Sequence, residues 1–139
     1  MPGQLIPAYE VGGDNFDYAV EADRITVTCT DAMGHQLRAA VLGSLAVSAM
    51  RNARRGGGGL VEQAASADRA VHGQFGGEQF VTALLLDIDL MTGHVSAVNA
   101  GAPGPLRQRA SGIEELSLEP QLPLGLFEHT QYVAQTGWS

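Results

Sequence analysis

The chain has 139 residues, 45% of them hydrophobic and 17% charged, with a formal net charge of −7. One domain's length of chain with that much apolar content excludes a disordered tail. No uncharged apolar run reaches the ~18–20 residues of a membrane span, and the single cysteine, Cys29, excludes an intrachain disulfide framework and a multi-Cys zinc site.

All eight basic residues are Arg, against 15 Asp and Glu. An acidic chain repels phosphate backbones, so no nucleic-acid partner is expected. Asp oxygens do suit hard divalent cations. The N-terminus, Met1-Pro2-Gly3-Gln4, lacks the basic-then-apolar layout of a secretion signal, and a cytoplasmic location is expected.

Glycine and proline set the punctuation. After Val11-Gly12-Gly13-Asp14, a short strand is predicted from Phe16 to Val20 and a second from Arg24 to Thr30, with Glu21-Ala22-Asp23 as the turn. The second alternates Ile25, Val27 and Cys29 with Thr26, Thr28 and Thr30, which is period two with β-branched residues. A helix is predicted over about Gln36–Arg54, apolar nearly all round, with Arg51, Arg54 and Arg55 at the negative end of its dipole.

Gly56 to Gly59 ends that helix, because four glycines continue one only at a cost. A second helix is predicted from Leu60 to His72, carrying the stripe Leu60, Ala64, Ala67 and Val71. Gly73 to Gly77 reads as a loop. Phe80–Leu90 is an apolar strand, and it turns at Leu90-Met91-Thr92-Gly93 into a hairpin with His94–Ala100. Further strand fragments are expected at Leu106–Arg109, Glu115–Leu118 and Gln131–Ala134. Hairpins flanking a helix pair predict an α+β fold, with antiparallel sheets layered against helices.

Two carboxylates draw attention by position. Asp14 precedes the first strand and Asp31 follows the second, so a hairpin brings them to the same end of the sheet. Paired carboxylates repel unless a cation or a proton lies between them, and a divalent metal is the natural occupant. The alternative is that each Asp serves a turn or helix cap. Asp17, an odd number of positions from Asp14, is expected on the opposite face.

Several segments in order resemble the SpoIIE/RsbU-type branch of the metal-dependent protein phosphatases (type 2C). They are Val11-Gly12-Gly13-Asp14-Asn15-Phe16-Asp17, then Asp31-Ala32-Met33-Gly34-His35-Gln36, Phe80 to Asp89, Thr92-Gly93, Asn99-Ala100-Gly101 and Leu122-Pro123-Leu124-Gly125-Leu126. The resemblance implies an α/β/β/α layered sandwich and hydrolysis of phosphoserine or phosphothreonine by a metal-activated water that attacks phosphorus in line. It implies two Mn²⁺ or Mg²⁺ ions. Asp31 would bridge them, Asp14 and the Ala32 carbonyl would be further ligands, and His35 a candidate contact for the phosphate. It also implies a phosphorylated regulatory protein of the anti-anti-sigma type as partner.

The chain departs from the family pattern at three places. Gln36 replaces a glycine, Ala102 replaces a histidine, and no Asp follows Asp89, where the family carries late metal-binding carboxylates. Residues 1–139 are therefore expected to form a single partial phosphatase domain, incomplete at its C-terminus, with an exposed sheet edge that favours a homodimer. The second functional expectation is a catalytically incomplete module that keeps the fold for protein interaction or regulation.

Overall fold

The computed structural model describes residues 14–32, 36–102, 106–109, 112–115 and 118–138. Its elements run β1 (Asp14–Val20), β2 (Arg24–Ala32), α1 (Gln36–Arg55), α2 (Leu60–Phe75), β3 (Val81–Asp89), β4 (Val95–Ala100), β5 (Leu106–Arg109), β6 (Gly112–Glu115) and β7 (Gln135–Trp138). The first four and the last strand form one antiparallel sheet of order β1-β2-β3-β4-β7, while β5 and β6 form a two-stranded ribbon.

The helix pair covers one face of the sheet. Leu42, Ala46 and Met50 of α1 and Leu60, Ala64, Ala67 and Val71 of α2 meet Val81, Ala83 and Leu85 of β3 and Val98 and Ala100 of β4 in a single buried cluster. Strand alternation sends Ile25 and Val27 of β2, Leu84 of β3 and Ala97 of β4 to the other face, and these are buried too. Both faces of the central strands are therefore apolar, as layered α+β packing requires. At the edge, β1 leaves Tyr18 and Val20 exposed.

Several boundaries shift from those the sequence predicts. β1 begins at Asp14 and β2 ends at Ala32, so both key carboxylates lie inside the ladder rather than beyond it. α2 continues through Gly73 to Phe75, because Phe75 packs on the core and Gly76, at φ 63°, supplies the left-handed cap, its N–H donating to the His72 carbonyl at 2.7 Å.

The strand expected at Gln131–Ala134 is not one; β7 starts at Gln135. The Gln121 side-chain amide takes both backbone groups of Val133, at 2.8 Å each, and so occupies the bonds a neighbouring strand would have made. Of the fragment expected at Glu115–Leu118, Glu115 ends β6, Leu118 lies outside any strand, and 116–117 lie outside the described residues.

Candidate functional site

The hairpin of β1 and β2 closes through a turn in which the Glu21 N–H donates to the Arg24 carbonyl at 2.8 Å. From that turn the ladder runs without interruption from Val20↔Ile25 to Asp14↔Asp31. Asp14 and Asp31, 17 positions apart in sequence, are direct cross-strand partners at the far end of the hairpin. Direct partners in an antiparallel pair share one face of the sheet, and like charges so placed destabilise it unless a counter-charge lies between them.

On its other side Asp31 lies opposite Thr82 of β3, whose hydroxyl donates to the Asp31 carbonyl at 3.3 Å. The Asp31 side chain is exposed, while Ala32, the last residue of β2, is buried in the core beneath it. His35 lies outside the described residues.

The donor set suits a hard cation. Two carboxylates and a backbone carbonyl at a strand end are all oxygen donors, and Mg²⁺ is commonly held by one or two carboxylates with water completing its shell. Among the described residues no group of three or more His, Cys, Asp or Glu side chains is placed to hold a metal.

Asp17 points to the helix side, as alternation requires. Its carboxylate receives two hydrogen bonds from Arg51 of α1, at 2.9 and 2.8 Å. This forked ion pair joins the strand that carries Asp14 to the helix that follows Asp31. The Arg51 guanidinium holds the Asp17 carboxyl below the usual range, against the opposing effect of its partial burial. Arg51 is thus a tether between β1 and α1 as well as a cation at the helix end.

The Leu122–Leu126 segment flanks the same end of the sheet. Val81 and Leu124 exchange backbone hydrogen bonds at 2.9 and 2.8 Å. Gly125, at φ 87°, lies so close to α2 that an added Cβ would run into the Val71 side chain. Its N–H donates to the buried Asp68 carboxylate at 2.7 Å. The Tyr132 hydroxyl donates into the Leu122 and Pro123 carbonyls, at 3.0 and 3.1 Å, and burial with the nearby Asp68 carboxylate pushes its phenol strongly upward.

Asn99 closes a tight loop by exchanging two hydrogen bonds with Ala102, at 2.8 and 2.7 Å. Sequence reasoning missed Asp68 and Tyr132. The signal for Asp68 was present: it interrupts the apolar stripe of α2 one residue after Ala67 and three before Val71.

The profile of the SpoIIE family (Stage II sporulation protein E) matches residues 21–137. The chain is 27% identical over 128 residues to the phosphoserine phosphatase RsbP of Bacillus subtilis (strain 168), a match that covers 88% of this chain and 32% of RsbP. It superposes on the RsbU and RsbW domains of Rv1364c from Mycobacterium tuberculosis with a TM-score of 0.78 at 26% identity, covering 95% of this chain and 37% of that one.

The PP2C phosphatase domain of SpoIIE from Bacillus subtilis gives a TM-score of 0.77 at 16% identity, covering 91% and 38%, a likeness of fold. The chain spans about a third of the length of these relatives. With a match across most of its length and the hairpin, helix pair and five-stranded sheet in place, the chain belongs to the SpoIIE family, whose fold is that of the PP2C-type phosphatases.

Proposed function

We propose that this domain is a metal-dependent phosphoserine/phosphothreonine protein phosphatase acting on a bacterial regulatory protein. The observation that carries the reading is the register of the first hairpin, which makes Asp14 and Asp31 cross-strand partners at one end of the sheet. Kinship with RsbP, a phosphoserine phosphatase, supports it. Asp14, Asp31 and the Ala32 carbonyl would hold a divalent cation, Mg²⁺ or Mn²⁺, with His35 a candidate contact for the substrate phosphoryl group.

The cation supplies Lewis-acid activation of water and offsets the charge that builds on the phosphoryl oxygens. The chain's own work is positional. The ladder sets residues Asp14 and Asp31 opposite each other in register, Thr82 holds the end of β2, and the Asp17–Arg51 pair ties the hairpin to α1. Rigid strands hold such groups more closely than loops do.

The test is hydrolysis of 4-nitrophenyl phosphate and of a phosphoserine peptide with Mn²⁺, with Mg²⁺ and with chelator. Activity with either ion, lost with chelator and reduced at least a hundredfold in Asp31→Asn, is the expected result. If the chain never hydrolyses either substrate, and Asp31→Asn binds Mn²⁺ as tightly as the parent, the reading fails.

A second reading is a catalytically incomplete domain that retains the fold for protein interaction. Ala102, where the family pattern carries a histidine, favours it. Metal binding without turnover, together with capture of the regulatory protein, would select it.

A further inference from the structure

The Asp31–Ala32 end of β2 rests on the first residues of β3. The β1–β2 ladder ends at Asp14↔Asp31, so Ala32 pairs only with Val81 among the described residues, next to the Asp31↔Thr82 pair. On its other side this part of β3 lacks a full neighbour. The β3–β4 ladder starts at Leu84↔Asn99, which leaves Val81 to Ala83 outside it. Isolated bridges from Leu124 to Val81 and from Gly101 to Ala83 stand in its place. Support for the proposed metal end of β2 therefore passes to the segment that carries Leu124.

Two buried side chains hold that segment from within. Asp68 of α2 accepts from the Gly125 N–H at 2.7 Å, and the Tyr132 hydroxyl shares its one hydrogen between the Leu122 and Pro123 carbonyls at 3.0 and 3.1 Å. Between these anchors Leu124 exchanges its two backbone bonds with Val81, at 2.9 and 2.8 Å. Pro123 also packs along the start of β3. Gly101 lies between the two, where an added Cβ would be 3.0 Å from Pro123 Cγ and 3.5 Å from Thr82 Cγ2. Thr82 in turn donates to the Asp31 carbonyl at 3.3 Å.

The chemistry of Asp68 suits placement better than cohesion. Its neighbours on the buried stripe of α2 are Ala64, Ala67 and Val71, and a carboxylate shut off from water costs free energy that an apolar side chain would not. Its hydrogen-bond partner is a peptide N–H 57 positions away rather than a cation. Such a charge-assisted bond is short and strong, so it fixes where Gly125 lies against α2.

We propose that Asp68 and Tyr132 are positioning residues for the metal end of the site: by clamping Leu122–Gly125 they hold Val81 and Thr82, and through them Asp31 and the Ala32 carbonyl, in place to take the cation. The effect on turnover rests on the phosphatase reading; the effect on the strand end rests on the hydrogen bonds alone. Both side chains are buried where no substrate reaches them. Loss of the clamp therefore lowers metal affinity and kcat and leaves KM for a small ester unchanged.

The experiment compares the parent with Tyr132→Phe, Asp68→Leu and Asp68→Asn in two arms. The first is amide hydrogen exchange without metal, which reads local opening. Tyr132→Phe and Asp68→Leu should speed exchange at Val81 and Leu124 at least tenfold while Val27 stays within twofold. Asp68→Asn, whose amide oxygen can still accept from Gly125, should stay within threefold of the parent. The second arm measures Mn²⁺ affinity, kcat and KM with 4-nitrophenyl phosphate. Tyr132→Phe should lower Mn²⁺ affinity and kcat at least fivefold each with KM within twofold, and Asp68→Asn should restore most of what Asp68→Leu loses. Leu60→Ala, a core truncation at the start of α2, should change none of the three. Tyr132→Phe carries both arms if Asp68→Leu does not fold.

Unchanged exchange at Val81 and Leu124, or an equal rise at Val27, overturns the clamp whether or not the chain is a phosphatase. Local opening with undiminished Mn²⁺ affinity and turnover overturns its role at the site. A parent that neither binds Mn²⁺ nor hydrolyses the ester overturns the phosphatase reading and the role in turnover with it; exchange alone then decides the clamp.

Discussion

The Asp17–Arg51 pair ties the first strand to the first helix, and its contribution depends on pH in a defined direction. The folded Asp17 carboxyl lies below its ordinary value of 3.8. A depressed acid stabilises the fold above the unfolded value, and that stability is lost as pH falls from about 4 through the lower folded value. Because Arg51 is nearly half-exposed, solvent screening keeps the effect small. Arg51→Ala should cost about 0.5–1 kcal/mol at neutral pH and low salt, less at high salt, and should flatten the acid limb of a urea-midpoint against pH curve.

Asp31→Asn carries a second prediction at this scale. If the proposed metal site is correct, Asp31→Asn should abolish any rise in melting temperature that Mn²⁺ or Mg²⁺ gives the parent. A variant that keeps the full metal-dependent rise would count against a metal held at Asp31.

Two glycines of one neighbourhood should respond in opposite ways at the scale of elements. Gly73 lies inside α2 with open space where a Cβ would go. Gly73→Ala should therefore stabilise the domain by about 0.5–1 kcal/mol in chemical denaturation, since alanine loses less backbone entropy in a helix. Gly125 combines a left-handed backbone with direct contact on Val71. Gly125→Ala should cost about 2–4 kcal/mol from overpacking and backbone strain together. Val71→Ala in the same chain should recover the overpacking part but not the strain, which a double-mutant cycle reads directly.

These elements also explain what the sequence could tell. The β1–β2 hairpin was legible because Ile25-Thr26-Val27-Thr28 alternates and a polar turn precedes it, so the meeting of Asp14 and Asp31 followed from strand geometry alone. The β3–β4 hairpin and both helices were legible for like reasons of period and punctuation. The 131–134 segment was misread because Tyr132 and Val133 look like strand residues, whereas a distant glutamine amide binds the backbone there. Asp68 was marked by its break in the apolar stripe, but its role shows only when the Gly125 N–H it receives, 57 positions away, is in view.

For the molecule as a whole, the order β1-β2-β3-β4-β7 puts β3 at the centre, apolar on both faces. Amide hydrogen exchange should be slowest at Val27, Leu85 and Val98 and faster along β1 and β7, whose ladders are bonded on one side among the described residues. Exchange at β1 as slow as at β3 would indicate a further partner along that edge, such as a second copy of the chain. Light scattering across a concentration series, on the parent and on Val20→Lys, tests that homodimer directly: a charge on the exposed edge should lower any self-association.

The three-residue turn Glu21-Ala22-Asp23 has a consequence out of proportion to its size. Pairing sums along the hairpin are constant, so one inserted residue taken up as a slip would set Asp31 opposite Asn15 and send Asp14 to the reverse side of the sheet. Both acids would survive in the gene, yet their partnership would be gone. The length of that connection belongs to the proposed site as much as the two acids whose register it sets.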